Sequence, residues 1–404
     1  MHPLHRLITP ARGLLAASLS ALLLVTACGG GRGDDSASAA DATATAAPTA
    51  FTQGTITGFG SVIVNGVRFD DSSCTVTDDS GTAQALGALR LGMRVEIDSS
   101  AVDTTTATAR AHALRFGGLV TGPVEAVDAT AGTLTVLGQG VDVTSTTVFD
   151  DSLAGGLAAV ATGAVVEVHG LLDSATGRIT ATRIEPESSA TTYKLRGVVS
   201  ALDSTAKTFR IGTATISFAG VATVPATLAD GVSLRVQLAT AAVAGVWQAQ
   251  SLGAKTRATT TAAQAHVHGA ITAFTSATAF SVDGIPVDAA NASFPDGSTG
   301  LALGVQVEVH GTLTNGTIIA TKVELESHHR GDDDRQFRLH GSITSVDTTA
   351  KTFVLRGVTV SYAGTVTYDQ GTEAGLVAGA RVAVRGTVGA SRTELAAVRI
   401  KFES

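Results

Sequence analysis

Apolar and polar residues alternate with a period of two over most of the chain beyond residue 50. This period is typical of β-strands, because successive side chains of a strand point to opposite faces of a sheet. The last part of the chain shows it best, in the segments 341–346, 353–355, 358–360, 381–384 and 397–400. The pattern predicts five short strands, with a turn at 347–351 and a connection at 376–379 between the third and fourth strands.

Short turns separate several of these alternating segments. Asparagine-glycine and aspartate-glycine pairs supply the two positive φ angles that a tight hairpin needs. Such pairs, or an arginine-glycine pair, occur at Asn65-Gly66, Asp283-Gly284, Asn315-Gly316 and Arg356-Gly357. We therefore expect hairpins between the second and third strands, and at residue 315 between a fourth and a fifth strand.

The same arrangement recurs five times along the chain. Each unit opens on a glycine, at Gly54, Gly118, Gly197, Gly269 and Gly341, with spacings of 64, 79, 72 and 72. A second glycine precedes the fourth strand, at Gly92, Gly163, Gly231, Gly304 and Gly379, with spacings of 71, 68, 73 and 75. Two independent markers with a period of about 72 residues indicate a tandem repeat.

The predicted fold class is all-β: a tandem array of small five-stranded OB-like β-barrels after a signal peptide and a flexible tether. An immunoglobulin-like sandwich is the alternative, disfavoured because a unit of about 72 residues is short for seven strands. Residues 153–160 are a candidate helix, which Gly155 and Gly156 weaken. The predicted segments are a lipoprotein signal peptide (1–27), a tether (28–50) and five repeats (51–116, 117–188, 189–256, 257–327 and 328–404).

The first 28 residues have the organisation of a lipoprotein leader. Arg6 and Arg12 precede an uncharged apolar stretch, 13–27, that is too short to span a bilayer comfortably. The stretch ends in Leu24-Val25-Thr26-Ala27-Cys28, which resembles the lipobox of bacterial lipoproteins. The resemblance implies that Cys28 is lipidated and becomes the mature N-terminus, and that Gly29 after it directs the protein to the outer membrane. An ordinary secretory signal is the alternative.

Composition excludes several functions. The net charge is -7, which argues against a nucleic-acid partner, because such proteins use Lys and Arg to displace the counterions of phosphates. Aromatic residues are only 4%, which leaves little for stacking sugars or bases. Two cysteines cannot build a disulfide-rich scaffold, and with Cys28 acylated, Cys74 is expected to be a small buried apolar residue.

Several segments resemble one known family. They are residues 55–69, 163–170 with 179–184, and 304–311 with 319–323. Their sequences resemble the family of bacterial domains of unknown function numbered 5666, over residues 51–404 and most weakly in the third repeat. The resemblance implies tandem units in a lipoprotein and carries over no catalytic residue.

Candidate sites are few. In the fourth repeat His266, His268, Glu308 and His310 alternate with valines, so they are expected to face outward on neighbouring first and fourth strands, as a set of ligands for zinc or copper. A solvated strand face is the alternative. The tract 327–335, which contains Arg-Gly-Asp, is interpreted as a charged linker rather than a metal or adhesion signal.

The sequence therefore predicts a non-catalytic, lipid-anchored cell-envelope protein, a binding or structural module without a cofactor. Its expected partners are the membrane, through Cys28, and an envelope protein or polymer, and it is expected to face the periplasm or the cell surface. No catalytic residue is assigned, because the common hydrolase, metalloprotease, phosphate-loop and thiol motifs are missing. Metal binding by the fourth repeat is the first alternative, and an uncharacterised hydrolase is the second.

Overall fold

The computed structural model describes residues 49–253, 261–326 and 336–403. The predicted leader, Cys28, nearly all of the tether and the tract 327–335 lie outside the described residues. The described residues belong to one compact unit. Within it, the alternating segments are strands, as the period of two predicts.

The strands fall into five groups of the predicted kind. Barrel 1 contains β1 (Ala50–Phe59), β2 (Val62–Val64), β3 (Val67–Asp70), β4 (Thr75–Asp78), β5 (Ala83–Gln84), β6 (Arg94–Ser99) and β7 (Thr108–Phe116). Barrel 2 contains β8 (Val120–Asp128), β9 (Thr133–Val136), β10 (Gln139–Phe149), β11 (Val165–Asp173) and β12 (Arg178–Pro186). Barrel 3 contains β13 (Tyr193–Asp203), β14 (Thr208–Ile211), β15 (Ala214–Ser217), β16 (Ser233–Leu238) and β17 (Trp247–Gly253).

The last two groups complete the array. Barrel 4 contains β18 (Ala262–Ser276), β19 (Ala279–Val282), β20 (Ile285–Asp288), β21 (Gln306–Thr314) and β22 (Thr317–Leu325). Barrel 5 contains β23 (Phe337–Asp347), β24 (Thr352–Leu355), β25 (Val358–Ser361), β26 (Thr367–Asp369), β27 (Arg381–Val388) and β28 (Leu395–Phe402). Within residues 49–253, 261–326 and 336–403, four 3-10 helices lie in the connections, at Leu86–Ala88, Asp151–Leu153, Gly156–Ala159 and Glu373–Gly375. The candidate helix at 153–160 is thus only short 3-10 turns, interrupted by Gly155 and Gly156, which both have positive φ.

Five strands of every group close into a barrel in the same way, and the additional strands β4 of barrel 1 and β26 of barrel 5 each pair with the last strand of their barrel. In barrel 4, β18 pairs antiparallel with β19 and with β21, β19 pairs with β20, and β21 pairs with β22. The parallel pair of β20 and β22 closes the ring. The other four barrels repeat this order, with the third and last strands parallel. This is the five-stranded order of an OB-type barrel, and it confirms the predicted fold class.

The repeated glycines have a common structural cause. All five glycines before the fourth strand have φ between +82° and +88°, a conformation that side chains rarely adopt. Each also donates its amide to a carbonyl on the first strand of its barrel, as Gly304 does to Ile271 at 2.8 Å. The four predicted hairpin turns also have two consecutive positive φ angles each, as expected.

The opening glycine of the second repeat was placed wrongly. In the other barrels the opening glycine pairs with the third residue after the left-handed glycine, as Gly269 does with Val307. In barrel 2 the residue in that register is Gly122, which pairs with Val166, and Gly118 lies before β8. With Gly122 the spacings become 68, 75, 72 and 72, so the irregular interval of the sequence pattern disappears.

The barrels pack directly on one another. Barrels 1 and 5 share one hydrophobic core and barrels 2 and 3 share another, whereas barrel 4 packs its own core together with Phe51 of barrel 1. Strand β1 runs parallel to β18 and to β23, and β8 pairs with β13. Barrels that are distant in sequence are therefore neighbours in space, because barrel 1 contacts barrels 4 and 5.

Ion pairs add to these contacts. The carboxylate of Asp79 in barrel 1 lies 3.1 Å from Lys194, 3.5 Å from Arg196 and 3.2 Å from Arg235 of barrel 3. Arg94 of barrel 1 forms an ion pair with Asp283 of barrel 4. These side chains are largely buried, so their charges interact with one another across the contacts between barrels rather than with solvent.

Candidate metal site on barrel 4

The polar residues proposed as metal ligands lie on paired strands of barrel 4. His266 is the partner of His310 and His268 the partner of Glu308 in the β18–β21 register. Val267, between the two histidines of β18, and Val309, between Glu308 and His310 of β21, are fully buried. The alternation therefore directs the valines into the core and the four polar side chains to the outer face.

Three of the four side chains meet in what we call the histidine cluster: His266, Glu308 and His310. The Nε2 atom of His266 is hydrogen-bonded to Oε1 of Glu308, and Nε2 of His310 lies 3.3 Å from the same oxygen. The two imidazole rings stack with centroids 4.1 Å apart. One nitrogen or oxygen from each residue lies within 4.8 Å of the other two.

The fourth predicted ligand, His268, contacts a different residue. Its Nε2 atom lies 3.0 Å from Oε2 of Glu326, just beyond β22, and it is not a member of the histidine cluster. Glu324, which was not predicted from the sequence, is the β22 partner of Glu308, and its Oε2 lies 3.8 Å from Nε2 of His310. The alternation of β22 places Glu324 on the outer face, so Glu324 could be identified as a candidate ligand once the β21–β22 register was known.

Burial and mutual contacts control the charges of the cluster. Burial lowers the pKa of His266, against the opposing effect of its hydrogen bond with Glu308. Burial alone would raise the pKa of Glu308, but the hydrogen bonds with His266 and His310 outweigh it and hold this pKa well below its usual range. The lowered pKa values favour a neutral imidazole at His266 and an ionised Glu308 at neutral pH, which are the protonation states that bind a metal ion.

The donor set fits a zinc-like ion. Two imidazoles and one carboxylate form a common ligand set for Zn²⁺ that leaves a position for a fourth ligand. Zinc–nitrogen and zinc–oxygen bonds of about 2.0–2.2 Å place tetrahedral ligand atoms about 3.3 Å apart, and His310 Nε2 and Glu308 Oε1 are separated by 3.3 Å. The side chains of Glu308 and His310 are about one third exposed (34% and 33%), which leaves them accessible to an ion from solution.

The cluster borders a cleft. Glu308, Glu324 and His268 line a cleft of about 520 Å³ between barrels 1, 2, 4 and 5. Threonines from barrels 1 and 2 also line the cleft: Thr55, Thr57, Thr144, Thr146, Thr180 and Thr182. An ion held by the histidine cluster would therefore border a polar space that admits water or a small ligand.

Barrel 2 carries a related group at Glu167, His169 and Glu185, whose ligand atoms also lie within 4.8 Å of one another. His169 is completely buried, and Nε2 of its ring lies 3.3 Å from Glu185. Arg183 and Lys194 pair with the carboxylates of Glu185 and Glu167. The sequence does not predict this group as a set, because its members lie on two strands whose register the sequence does not give.

Cys74 is partly buried. Burial, with Asp71 nearby, raises the pKa of Cys74 to about 11, so its thiol stays protonated at neutral pH. Among the residues that the structure describes, no helix combines the length and the apolar character needed to cross a membrane.

Comparison with known proteins places the repeats in one family. The family described as a domain of unknown function (DUF5666) matches residues 121–185, 268–324 and 340–401, which lie in barrels 2, 4 and 5. A search of curated proteins found no matching relative. Barrels 1 and 3 share the strand order of the three matched regions, so the chain is a tandem-repeat protein in which barrels 2, 4 and 5 match the DUF5666 family.

Proposed function

We propose that the protein is a non-catalytic cell-envelope protein that binds a divalent transition-metal ion, zinc or copper, at the histidine cluster of barrel 4. The convergence of two imidazole nitrogens and one carboxylate oxygen within 4.8 Å carries this proposal. A solvated strand face would place these groups side by side with separate solvent contacts. Here both imidazoles approach the same oxygen of Glu308.

The chemistry of the ligands favours zinc or copper over harder ions. Imidazole nitrogen suits Zn²⁺ and Cu²⁺, whereas Mg²⁺ and Ca²⁺ prefer sets made only of oxygen atoms. Glu324 is a candidate fourth ligand, because its carboxylate lies 3.8 Å from His310. Lys322 holds that carboxylate at 2.6 Å, so binding through Glu324 requires the displacement of this ion pair.

Calorimetric titration of the full-length chain with Zn²⁺ and with Cu²⁺ tests the proposal. The double variant His266→Ala/His310→Ala is expected to bind at least about 100-fold more weakly, because it removes two of three ligands. His112→Ala, a partly buried histidine of β7 in barrel 1, is the matched control and should bind as the unmodified protein does. Absence of binding heat, or heat that the double variant retains, would contradict the proposal.

We further propose that Cys28 anchors the protein in the outer membrane, with the barrels in the periplasm or on the surface, beside an envelope protein or polymer partner. The lipobox-like sequence that ends in Cys28 supports this location. Cys28→Ala should shift the protein from the membrane fraction to the soluble fraction. An unmodified protein that is already soluble would refute the anchor without bearing on the metal site.

A further inference from the structure

The last strand of every barrel contains a β-bulge, at which it skips one residue in its pairing with the fourth strand. In four barrels the residue after this bulge pairs in parallel with a residue that ends the third strand or follows it. The pairs are Thr75 with Ala113, Val148 with Arg183, Ser293 with Lys322 and Thr367 with Arg399. We call these partners, with the residues after them, the covering segments, because they occupy the outer edge of the last strand, the edge away from the fourth strand.

Barrel 3 differs from the other four at this edge. Ser251 is the residue after the bulge of β17, and β17 pairs with β15 only at Trp247 and Gln248. Among the described residues, none pairs with the outer edge of residues 249–253. The connection from β15 to β16 spans 15 residues, against 23, 17 and 19 in barrels 1, 4 and 5, and it makes no backbone hydrogen bond to β17. Residues 249–253 are therefore an open edge.

Barrel 4 shows which backbone groups of the open edge lack a partner. There the amide of Ser293 donates to the carbonyl of Thr321 at 2.9 Å, and the carbonyl of Ser293 accepts from the amide of Val323 at 2.9 Å. The equivalent groups of β17 are the carbonyl of Gln250 and the amide of Leu252, which have no backbone hydrogen-bond partner within the part of the chain that the structure describes. One residue of an extended segment, placed opposite Ser251, would pair with both groups.

The side chains of the open edge do not protect it. Natural proteins commonly guard an edge strand with charged residues or proline, because its unpaired N–H and C=O groups are a template for another strand. Residues 249–253 read Ala-Gln-Ser-Leu-Gly, without charge or proline, and the side chains of Gln250 and Ser251 are exposed. The open edge is therefore accessible to a strand from another chain.

The four covering segments show the chemistry that such an edge accepts. The residue opposite the last strand is threonine, serine or valine, and the residue after it packs on a hydrophobic core. These second residues are Val76, Phe149, Phe294 and Tyr368. In barrels 2 and 5 an aspartate follows and pairs with the arginine after the bulge, Asp150 with Arg183 and Asp369 with Arg399, both at 3.1 Å. Barrel 3 has Ser251 in the place of that arginine, so its edge does not require the aspartate.

We propose that the open edge of β17 binds an extended segment of a partner protein that runs parallel to β17. The segment places threonine, serine or valine opposite Ser251 and an apolar or aromatic residue after it, as the covering segments do. A second copy of the chain fits less well, because two copies of one edge related by a twofold axis pair antiparallel, and the covering segments of a copy already pair with their own barrels. This surface is separate from the histidine cluster, and it depends neither on a metal ion nor on the lipid anchor.

A peptide with the sequence of residues 364–370, Gly-Thr-Val-Thr-Tyr-Asp-Gln, is the probe, because it contains the covering segment of barrel 5. The full-length chain is titrated with this peptide by calorimetry and by the fluorescence of Trp247, the single tryptophan, which begins β17. Saturable binding is expected. The Thr367→Pro peptide should bind at least about tenfold more weakly, because proline has no N–H for the carbonyl of Gln250. No binding of the first peptide, or equal binding of both, would overturn the proposal.

A variant that gains affinity tests the register of the bound segment. Ser251→Arg restores the arginine that pairs with Asp369 in barrel 5, so it should bind the peptide about three- to tenfold more tightly, and the Asp369→Asn peptide should lose this gain. Thr205→Arg adds the same charge at the exposed β13–β14 turn and is the matched control. No gain, or an equal gain in the control, would contradict the proposal. Self-association of the unmodified chain that the peptide disrupts, measured by sedimentation equilibrium, would assign the edge to a second copy and overturn it.

Discussion

Barrels 2 and 4 use the same positions on their fourth and last strands for different purposes. The β11–β12 register pairs Glu167 with Glu185 and His169 with Arg183, and the β21–β22 register pairs Glu308 with Glu324 and His310 with Lys322. Both barrels therefore present two glutamates, one histidine and one cation on equivalent sites. Their surroundings decide what these groups do.

In barrel 2 the carboxylates are neutralised by permanent cations. Arg183 binds Glu185 at 2.8 Å and Asp150 at 3.1 Å, and Lys194 of barrel 3 lies 3.1 Å from Glu167. His169 is completely covered. An incoming ion would have to displace cations that are already held, so this group is a structural network.

In barrel 4 the first strand contributes a second histidine. His266, which precedes the buried Val267, stands where barrel 2 has Leu119 before the buried Val120. Glu308 is therefore contacted by two imidazoles, which can lose their protons, instead of by ammonium or guanidinium groups. The residue before the buried valine of the first strand is therefore one of the differences that separate the histidine cluster from the network of barrel 2.

The largest expected effect is a difference in the free energy of unfolding between variants of Arg183 and Lys322. Arg183→Met should lower the free energy of unfolding by about 2–3 kcal/mol, because it leaves Glu185 and Asp150 without their shared partner in a covered position. The side chain of Arg183 is 4% exposed, whereas that of Lys322 is 39% exposed. The equivalent variant Lys322→Met should cost less than about 1 kcal/mol.

Denaturant unfolding of both variants measures these costs. The two substitutions remove the same charge at equivalent positions, so each is the control for the other. Equal losses of stability would break the distinction between a structural network and an accessible site.

A smaller effect on the free energy of unfolding is expected when the pH is lowered. Burial by itself would raise the pKa of Glu185. The hydrogen bond with His169 and the positive charge of Arg183 outweigh burial and lower this pKa from 4.5 to about 2. The folded state therefore binds fewer protons than the unfolded state between these values, so this contribution is present above about pH 4.5 and is lost as the pH falls toward 2.

Glu185→Gln removes that contribution. We expect the unmodified protein to lose about 1–2 kcal/mol more than the variant between pH 5 and pH 2, with allowance for partial exposure of the carboxylate. Thermal unfolding across this range measures the difference. Parallel stability curves for the two proteins would indicate that Glu185 is not ionised through the network described for barrel 2.

The sequence was most informative where local geometry requires particular residues. Asn65-Gly66 and Asp283-Gly284 adopt positive φ angles, and Gly304 and its counterparts are left-handed, so turns and repeats could be read from residue type alone. Gly118 was chosen wrongly in place of Gly122, although the spacings of 68 and 75 that Gly122 gives are the more regular ones. The pairing of Gly122 with Val166 settles the choice.

The candidate site was predictable to the extent that strand alternation determines it. His266, Glu308 and His310 were found because adjacent first and fourth strands follow from the barrel order. Glu324 depends on the register of the fifth strand, and the contact of His268 with Glu326 depends on side-chain direction, so neither could be found from spacing. Contacts between barrels, such as those of Asp79, join residues more than 100 positions apart and leave no local pattern.

The smallest expected effect sharpens the comparison within barrel 4 itself. Lys322 holds Glu324 at 2.6 Å, while the same carboxylate oxygen lies 3.8 Å from Nε2 of His310. Lys322→Met removes one cation that competes with the metal for Glu324, so Zn²⁺ affinity should rise by about threefold, the value of one exposed ion pair. Calorimetric titration measures this change, with Lys322→Met/Glu324→Gln as the control that should lose the gain. Weaker binding in Lys322→Met would mean that the lysine positions Glu324 for the metal rather than competing with it.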